Sequence, residues 1–248
     1  MIDDMVPRKK VGVFAPRGLV EIGPYEFYRL APPGIMLVIC ALGIKEFTEK
    51  GVYDVYAGID EQLAELVTRD IDLIIQEGVP LQCLIGTEAH DKRLAYITKK
   101  TGLPATSGVL GAVNAAKHLG IKKIAFGNKF SEAVNHRLAE FFTRAGIEIT
   151  GFVSWGEGKT DNQIHGMHWA DLAEVGVHIG RQTFEENPDA EAIYMPGGGW
   201  NLNRAINELE AEFGRPVLGH RHASTWEVVR QVGLWKPRKG YGMLFAKP

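Results

Sequence analysis

Cysteine, long apolar runs and net charge are all scarce in this chain of 248 residues. Its 2 cysteines, Cys40 and Cys83, lie far apart, which argues against a disulfide framework and indicates a reducing compartment, so we expect a cytoplasmic protein. No apolar run approaches the ~20 residues that a membrane-spanning helix needs. Residues 1–6 carry two aspartates and no apolar core, so we expect no secretory signal. A formal charge of −2 argues against nucleic acid and anionic membranes as partners.

Sequence motifs for nucleotides and metals are missing or weak. The glycine-rich stretches fit neither the G-x-x-x-x-G-K phosphate loop nor a G-x-G-x-x-G fingerprint after the first strand. His165 and His168, with His220 and His222, could supply imidazoles to zinc, but H-x-x-H without a nearby acidic ligand pattern is a weak signal. We therefore expect no metal and no cofactor.

Short apolar runs alternate with segments of helical periodicity along the whole chain, which predicts an α/β fold with parallel sheets and right-handed crossovers. The predicted strands are Val11–Ala15, Gly34–Leu42, Ile71–Gln76, Lys122–Gly127, Ile147–Ser154, Ala192–Met195 and Val217–Gly219, with a further short strand near Thr106. The predicted helices are Ile22–Leu30, Tyr56–Arg69, Asp91–Lys100, Leu110–Leu119, Ser131–Ala145, Ala170–Glu186, Leu202–Phe213 and Ser224–Val232. We expect Gly34–Leu42 to be a buried strand that holds Cys40 in the core.

The order of elements repeats, which predicts two similar Rossmann-like halves. T-G-L-P-A-T-S-G, followed by a helix and L-G, resembles F-G-R-P-V-L-G-H, followed by a helix and V-G. We assign residues 1–110 and 234–248 to the first half and residues 111–233 to the second. Because ligands of parallel sheets bind at the carboxyl ends of strands, the two halves predict one site in the cleft between them.

A glycine turn follows a predicted strand in each half. Glu77-Gly78-Val79-Pro80 in the first half occupies the place that Pro196-Gly197-Gly198-Gly199 occupies in the second. Backbone N–H groups in such turns can be approached by a ligand without meeting a Cβ, although a plain tight turn is the alternative. We expect Gly78, Val79, Gly197 and Gly198 to offer donors to a carboxylate or enolate oxygen, whereas Pro80 has no N–H to donate.

Charged and ionisable side chains that follow predicted strands are the other candidates for substrate binding and catalysis. Arg17 and Arg221 each follow a predicted strand and could grip a carboxylate in a bidentate fork, unless they are surface arginines. His220 and His222 are two apart, so on an extended segment they would point the same way, and either could carry a proton. Glu77 adjoins the first glycine turn and is the candidate base for the opposite face, unless it faces away.

The layout and three stretches resemble the aspartate/glutamate racemase superfamily, with arylmalonate decarboxylase and maleate cis-trans isomerase as the closest branches. The stretches are I-G-T-E-A-H-D-K-R-L through T-G-L-P-A-T (Ile85–Thr106), V-N-H-R-L-A-E-F-F (Val134–Phe142) and K-G-Y-G-M-L-F near the end. The resemblance covers about Val11 to Phe245. It implies two pseudo-symmetric α/β domains with the active site between them.

The chain departs from this superfamily at its reactive positions. The resemblance implies a cysteine at the cleft-facing strand end of each half, or of the second half alone in the decarboxylase branch. Those positions fall on Gly78 and Gly197. A tyrosine that the superfamily often uses to hydrogen-bond a substrate carboxylate is Phe130 here. Cys83 lies five positions beyond Gly78; we place it in a loop that could reach the cleft, and favour a bystander thiol.

These features predict a cofactor-independent lyase, of decarboxylase or hydratase/dehydratase type, that acts on a small organic mono- or dicarboxylic acid through an enolate-like intermediate. One alternative is a cis-trans isomerase or racemase that uses acid/base groups other than thiols. Another is a small-carboxylate binding protein without catalytic activity. The sequence leaves open whether the chain forms a homo-oligomer.

Overall fold

Two four-stranded parallel sheets form the centre of the computed structural model, which describes residues 6–20, 22–155, 163 and 166–248. The first sheet and its helices are β1 (Lys9–Ala15), α1 (Ile22–Leu30), β2 (Ile35–Ala41), α2 (Glu49–Tyr56), α3 (Ile59–Val67), β3 (Leu73–Gln76), α4 (Val79–Thr101), β4 (Ala105–Ser107) and α5 (Gly108–Leu119). The second set is β5 (Lys123–Asn128), α6 (Glu132–Thr143), β6 (Glu148–Ser154), α7 (Trp169–Glu186), β7 (Ala192–Met195), α8 (Leu202–Phe213), β8 (Val217–Gly219), α9 (His220–Gln231) and α10 (Gly242–Ala246).

The two sheets have the same strand order. The first runs β2-β1-β3-β4 and the second runs β6-β5-β7-β8, and every neighbouring pair is parallel. The predicted α/β class with two similar halves is therefore confirmed. Four predicted elements, Ile22–Leu30, Ala192–Met195, Leu202–Phe213 and Val217–Gly219, have the predicted bounds.

Three predicted helices differ from the structure in extent, and the third, Ser224–Val232, lacks the first turn of α9, which begins at His220. The segment Tyr56–Arg69 contains the end of α2 and the whole of α3, because the chain turns at Gly58. The segment Asp91–Lys100 is only the last part of α4, which starts directly after Gly78 and kinks at Gly86, where φ is 77°. The first half of α4 was hidden from sequence reasoning because Pro80 and Gly86 interrupt a helical pattern.

The prediction that Gly34–Leu42 is a buried strand is wrong. Strand β2 lies at the edge of its sheet and pairs with β1 alone. Only Ile35 is buried along its length, and Met36 and Ile39 are exposed. Cys40 is consequently half-buried, packed against a core cluster rather than inside it. A continuous apolar run does not by itself distinguish a central strand from an edge strand that helices cover on one face.

The helices that follow the fourth strand of each sheet pack against each other. Helix α5 contacts α9 closely at Gly111, where an added Cβ would lie 3.1 Å from the carbonyl oxygen of Ala223. Asn114 on α5 donates a hydrogen bond of 3.0 Å to Glu227 on α9. This contact joins the halves, because each of the two helices starts at the carboxyl end of a different sheet.

The last helix, α10, belongs to the segment 234–248 that we assigned to the first half, but it packs against elements of the second sheet. Helix α10 packs against α8 and β8, and the backbone N–H of Met243 donates to Glu210 at 2.7 Å. Glu210 also accepts from the N–H of Val217 at 3.0 Å, so one carboxylate connects α8, β8 and the tail. Within the described ranges, no helix combines the length and apolar character that crossing a membrane requires.

Candidate active site

A cavity of about 150 Å³ lies between the first sheet, α1, the start of α9 and the glycine turn after β7. Its lining is mainly apolar and includes a set of polar and charged residues. The apolar wall consists of Val13, Leu19, Val20, Ile22, Phe27, Leu37, Ile39, Ile75 and Val228. The polar set consists of Arg17, Glu77, Gly78, Gly198, Gly199, His220, Arg221 and Ser224. The cavity is therefore suited to a small molecule with one apolar and one anionic part.

Both glycine turns contribute backbone to this cavity. Gly78 has a φ of 92°, and an added Cβ would lie 2.9 Å from Pro16, so both the conformation and the space require glycine. Across the part of the chain that the structure describes, the N–H groups of Gly78, Gly198 and Gly199 donate to no acceptor. Because all three glycines line the same cavity, their free N–H groups are candidate donors to an anionic oxygen.

Glu77 holds the two neighbouring side chains of the α9 N-terminus. Its Oε1 accepts from Nη1 of Arg221 at 2.9 Å, and its Oε2 lies 3.0 Å from Nε2 of His220. Burial alone would raise the pKa of Glu77, but the charge of Arg221 and the hydrogen bond from His220 outweigh it and lower the pKa to about 2. The carboxylate is therefore ionised and committed to two partners from the second half.

The contacts of His220 continue into the protein interior. Its Nδ1 lies 3.2 Å from the hydroxyl oxygen of Tyr194, whose pKa is raised well above its ordinary value by burial. A tyrosine that stays protonated donates to Nδ1, and Nε2–H then donates to Glu77. Both ring nitrogens are occupied in this arrangement. The first residue of α5 is Gly108 because an added Cβ would lie 2.5 Å from the His220 ring.

Two cations approach the glycine turn from the other side. Arg17 lines the cavity and its guanidinium lies 5.4 Å from the Phe47 ring centroid. Lys129 follows β5, and its Nζ donates to the carbonyl oxygen of Gly198 at 3.1 Å. Burial and then the charge of Arg17 lower the pKa of Lys129 to about 8. Sequence reasoning missed Lys129, although a charged residue directly after a buried strand is the same signal that identified Arg17.

His222 lies outside the cavity, and the expectation that it points the same way as His220 is wrong. The segment is the first turn of α9, in which residues two apart differ in direction by about 200°. The His222 ring packs against Phe245, and its Nε2 lies 3.2 Å from Oδ1 of Asn203. Burial and then Arg221 lower the pKa of His222 to about 3.

The remaining candidates lie beside the cavity rather than in its wall. Phe130 sits against Gly197, where an added Cβ would be 3.0 Å from the end of the phenyl ring. The Val79 side chain is in the core, and its N–H begins α4. Cys83 is buried in the same core on α4, so its expected loop position is wrong, and burial raises the pKa of its thiol.

No group of three or more His, Cys, Asp and Glu side chains in the described ranges is arranged to hold a metal ion. Nδ1 of His168 instead accepts from the N–H of Ala170 at the start of α7. His165 lies outside the described residues, so the four-histidine hypothesis stays untested.

Comparison with known proteins connects this cavity to a family. The model of the arylmalonate decarboxylase family matches residues 11–245. Arylmalonate decarboxylase of Bordetella bronchiseptica is 27% identical over 238 residues, which cover 95% of each chain. Maleate isomerase of Geobacillus stearothermophilus is 24% identical over 160 residues, which cover 59% of this chain and 57% of that one. These relatives are enzymes.

Solved structures of arylmalonate decarboxylase and maleate isomerase have a similar fold. Unliganded arylmalonate decarboxylase has a TM-score of 0.80 at 26% identity, covering 97% of this chain and 100% of that one. A double mutant of the same enzyme in its liganded form has a TM-score of 0.84 at 27% identity, with the same coverage. The maleate isomerase Iso from Pseudomonas putida S16 has a TM-score of 0.80 at 17% identity, covering 96% and 98%, and so shares the fold.

Proposed function

Because the chain belongs to the arylmalonate decarboxylase family, we propose that it is a cofactor-independent lyase that decarboxylates a small dicarboxylic acid bearing an apolar group. The observation that carries this proposal is that one cavity combines an apolar wall with Arg17 and the N–H groups of Gly78, Gly198 and Gly199. A malonate with an apolar substituent on its central carbon matches both parts.

The reaction follows from where charge develops. One carboxylate is bound by Arg17 and the glycine N–H groups, and the other lies toward the apolar wall, where a charged group is poorly solvated. The bond from the central carbon to the second carboxylate breaks and releases neutral CO₂. The electron pair spreads onto the retained carboxylate as an enediolate, which the fixed N–H donors stabilise.

Glu77 and His220 have positioning roles in this mechanism. A carboxylate that already accepts two hydrogen bonds and has a pKa of about 2 is a weak base, so we replace the hypothesis of a Glu77 base. Glu77 instead holds Arg221, whose Nη2 lies 3.7 Å from the place of a Cβ on Gly198. His220 fixes Glu77 from the other side through its contact with Tyr194.

A cis-trans isomerase or racemase is the second candidate, which the similarity to maleate isomerase favours. Neither Gly78 nor Gly197 supplies a thiol, and of the two cysteines Cys83 is in the core and Cys40 is on β2, so neither lines the cavity. An isomerase would therefore need other groups on both faces of the substrate. A hydratase or a binding protein without catalytic activity would use the same arginines and N–H donors.

The purified protein should convert 2-phenylmalonate to phenylacetate and CO₂, measured by NMR and by CO₂ release. Unsubstituted malonate should react more slowly because it leaves the apolar wall unfilled. Arg17→Lys should raise KM about tenfold or more because it loses the planar fork, whereas Arg69→Lys on the exposed end of the α3 segment should have no effect. Conversion of maleate to fumarate without decarboxylation would favour the isomerase, and a thermal shift with no turnover of either acid would favour a binding protein.

A further inference from the structure

We propose that Lys129 is the acid that delivers the proton to the substrate carbon after CO₂ leaves. This inference rests on the proposed decarboxylation and supplies the group that the mechanism still needs. An enediolate formed in the cavity becomes product only when its carbon receives a proton, and no thiol lines the cavity in the described part of the chain.

The position of Lys129 is the first argument. It directly follows β5, a central strand of the second sheet, and its ammonium group reaches the carbonyl oxygen of Gly198 at 3.1 Å. Gly198 lines the cavity and Lys129 does not, so the ammonium reaches the cavity through the glycine turn at which we propose that the enediolate oxygens bind. The Trp200 ring, with its centroid 5.5 Å from Nζ, supports the side chain from one side.

The electrostatic surroundings are the second argument. Among the described residues no carboxylate lies within 4.0 Å of Nζ of Lys129, and the charged group that acts on it is Arg17. Half-burial beside another cation lowers the pKa to about 8, so this ammonium gives up a proton more readily than a solvated lysine does. A bound dianionic acid between Arg17 and Lys129 favours the protonated form, which is the form that catalysis requires.

The other ionisable groups at the cavity are less suited to this step. Both oxygens of Glu77 and both ring nitrogens of His220 are engaged, and a guanidinium group, as in Arg17 and Arg221, is too weak an acid for this step. Glu26 is the competitor, because burial raises its pKa to about 7 and so keeps part of it protonated. Neither Glu26 nor Lys129 is itself part of the cavity wall, but the Glu26 carboxylate lies 3.7 Å from Nε of Arg221, whereas Nζ of Lys129 contacts the wall residue Gly198.

The proton balance of the step is complete. The C–C bond to the departing carboxylate breaks and its electron pair stays on the substrate carbon as the enediolate. An N–H bond of Lys129 then breaks, a C–H bond forms, and Lys129 becomes a neutral amine. A solvent proton restores the ammonium, so each turnover releases one CO₂ and takes up one proton.

The test compares two variants. Lys129→Met has no ionisable group at this position, and Lys129→Arg keeps the positive charge but is a poor proton donor. Lys122→Met, at the exposed other end of the same strand segment, is the matched control, and Glu26→Gln tests the competitor. The substrate is 2-methyl-2-phenylmalonate, whose product has a stereocentre. Binding of phenylmalonate, kcat, kcat/KM and the enantiomeric ratio of the product are measured for each variant, and circular dichroism checks that each is folded.

We expect both Lys129 variants to lose ~10²–10⁴-fold in kcat, with the Kd of Lys129→Arg changed less than tenfold, and their residual product to be racemic. The wild type should give one enantiomer, because Lys129 reaches one face. Its kcat/KM, which reports the free enzyme, should fall as the pH rises through about 8, and its kcat should fall only at higher pH, because the bound dianion favours the ammonium. Normal turnover and selectivity in a folded Lys129 variant, or a wild-type kcat/KM that is constant through pH 8, would overturn the Lys129 assignment alone. A wild type that binds phenylmalonate but decarboxylates no malonate would overturn the proposed function and this step with it.

Discussion

At the residue scale, the site differs most from expectation in what its histidines do. His220 connects Tyr194 to Glu77 with both ring nitrogens, and His222 is enclosed between Asn203 and Phe245. Residue type correctly indicated a functional region, but the direction of each ring depends on whether the backbone is extended or helical. The same segment therefore supplies two cavity residues, His220 and Arg221, and one residue of the packing between α8, α9 and α10.

The buried state of His222 gives a pH-dependent prediction. Its folded pKa of about 3 lies below its ordinary value of 6.5, so the neutral ring contributes stability above pH 6.5 that is lost as the pH falls toward 3. His222→Gln should flatten the fall in free energy of unfolding between pH 6.5 and 4, measured by urea denaturation at each pH. Its kcat should stay within threefold of the wild type.

Other groups titrate over this range, so the comparison must be made between wild type and variant. Glu26 and Glu210 have pKa values raised to about 7, mainly by burial, and both contribute stability that is present below pH 4.5 and lost as the pH rises through 7. They act equally in the wild type and in His222→Gln and cancel in the difference. Identical pH profiles of stability for the two proteins would show that protonation of His222 does not lower the free energy of unfolding.

At the element scale, the important features are helices that begin directly at strand ends. Helix α4 starts two residues after β3, α5 directly after β4, and α9 directly after β8. The sequence predicted strands and late parts of these helices from apolar periodicity, but it missed the first turns of α4 and α9. Those turns carry Pro80 or His220-Arg221-His222, and His220 and Arg221 contact Glu77 of the opposite half, so these turns show no local periodicity.

The start of α5 provides a stability prediction. Oγ of Ser107 accepts from the N–H of Leu110 at 3.2 Å and lies 2.9 Å from Nε2 of the buried His90. Ser107→Ala should lower the free energy of unfolding by about 1–3 kcal/mol, because it removes the cap and leaves His90 without this partner. Ser131→Ala is the matched control, since the Ser131 side chain makes no capping hydrogen bond at the start of α6, and it should cost less than about 0.5 kcal/mol. Equal losses in both variants would contradict this account of the cap.

At the scale of the whole molecule, the repeated strand–turn–helix order was enough to predict both sheets. We expected Gly78 and Gly197 to face one cleft, and the cavity is lined by Gly78 together with Gly198 and Gly199. Short buried strands such as Ala192–Met195 can be predicted from the local sequence, because a run of apolar residues ends at a proline and glycines. The site could be predicted only in part, because Lys129, Tyr194 and Glu26 acquire their roles from contacts across the fold. Sequence spacing contains no information on the distance between Nζ of Lys129 and the Gly198 turn.

The contact between the halves at Gly108 gives the last prediction. Gly108 begins α5 in the first half, and an added Cβ would lie 2.5 Å from Cε1 of His220 and 3.0 Å from Oε2 of Glu77. A methyl group here cannot be accommodated by a flexible chain end, because the imidazole is held on both sides. Gly108→Ala should therefore separate α5 from the start of α9, lower the free energy of unfolding by ~1–3 kcal/mol and reduce kcat/KM for 2-phenylmalonate by ~10²-fold.

The matched control for this prediction is Gly58→Ala, because an added Cβ at Gly58 meets no atom within 4 Å and its φ of −97° is open to alanine. We expect that variant to retain wild-type activity and stability to within about 0.5 kcal/mol. Urea denaturation and steady-state kinetics on both variants measure the two effects separately. A Gly108→Ala protein with wild-type kcat/KM would mean that the Glu77–His220 contact between the halves can move without consequence for the substrate. Since that contact holds Arg221 beside Gly198, such a result would also remove the argument that the two halves form one catalytic site through Glu77.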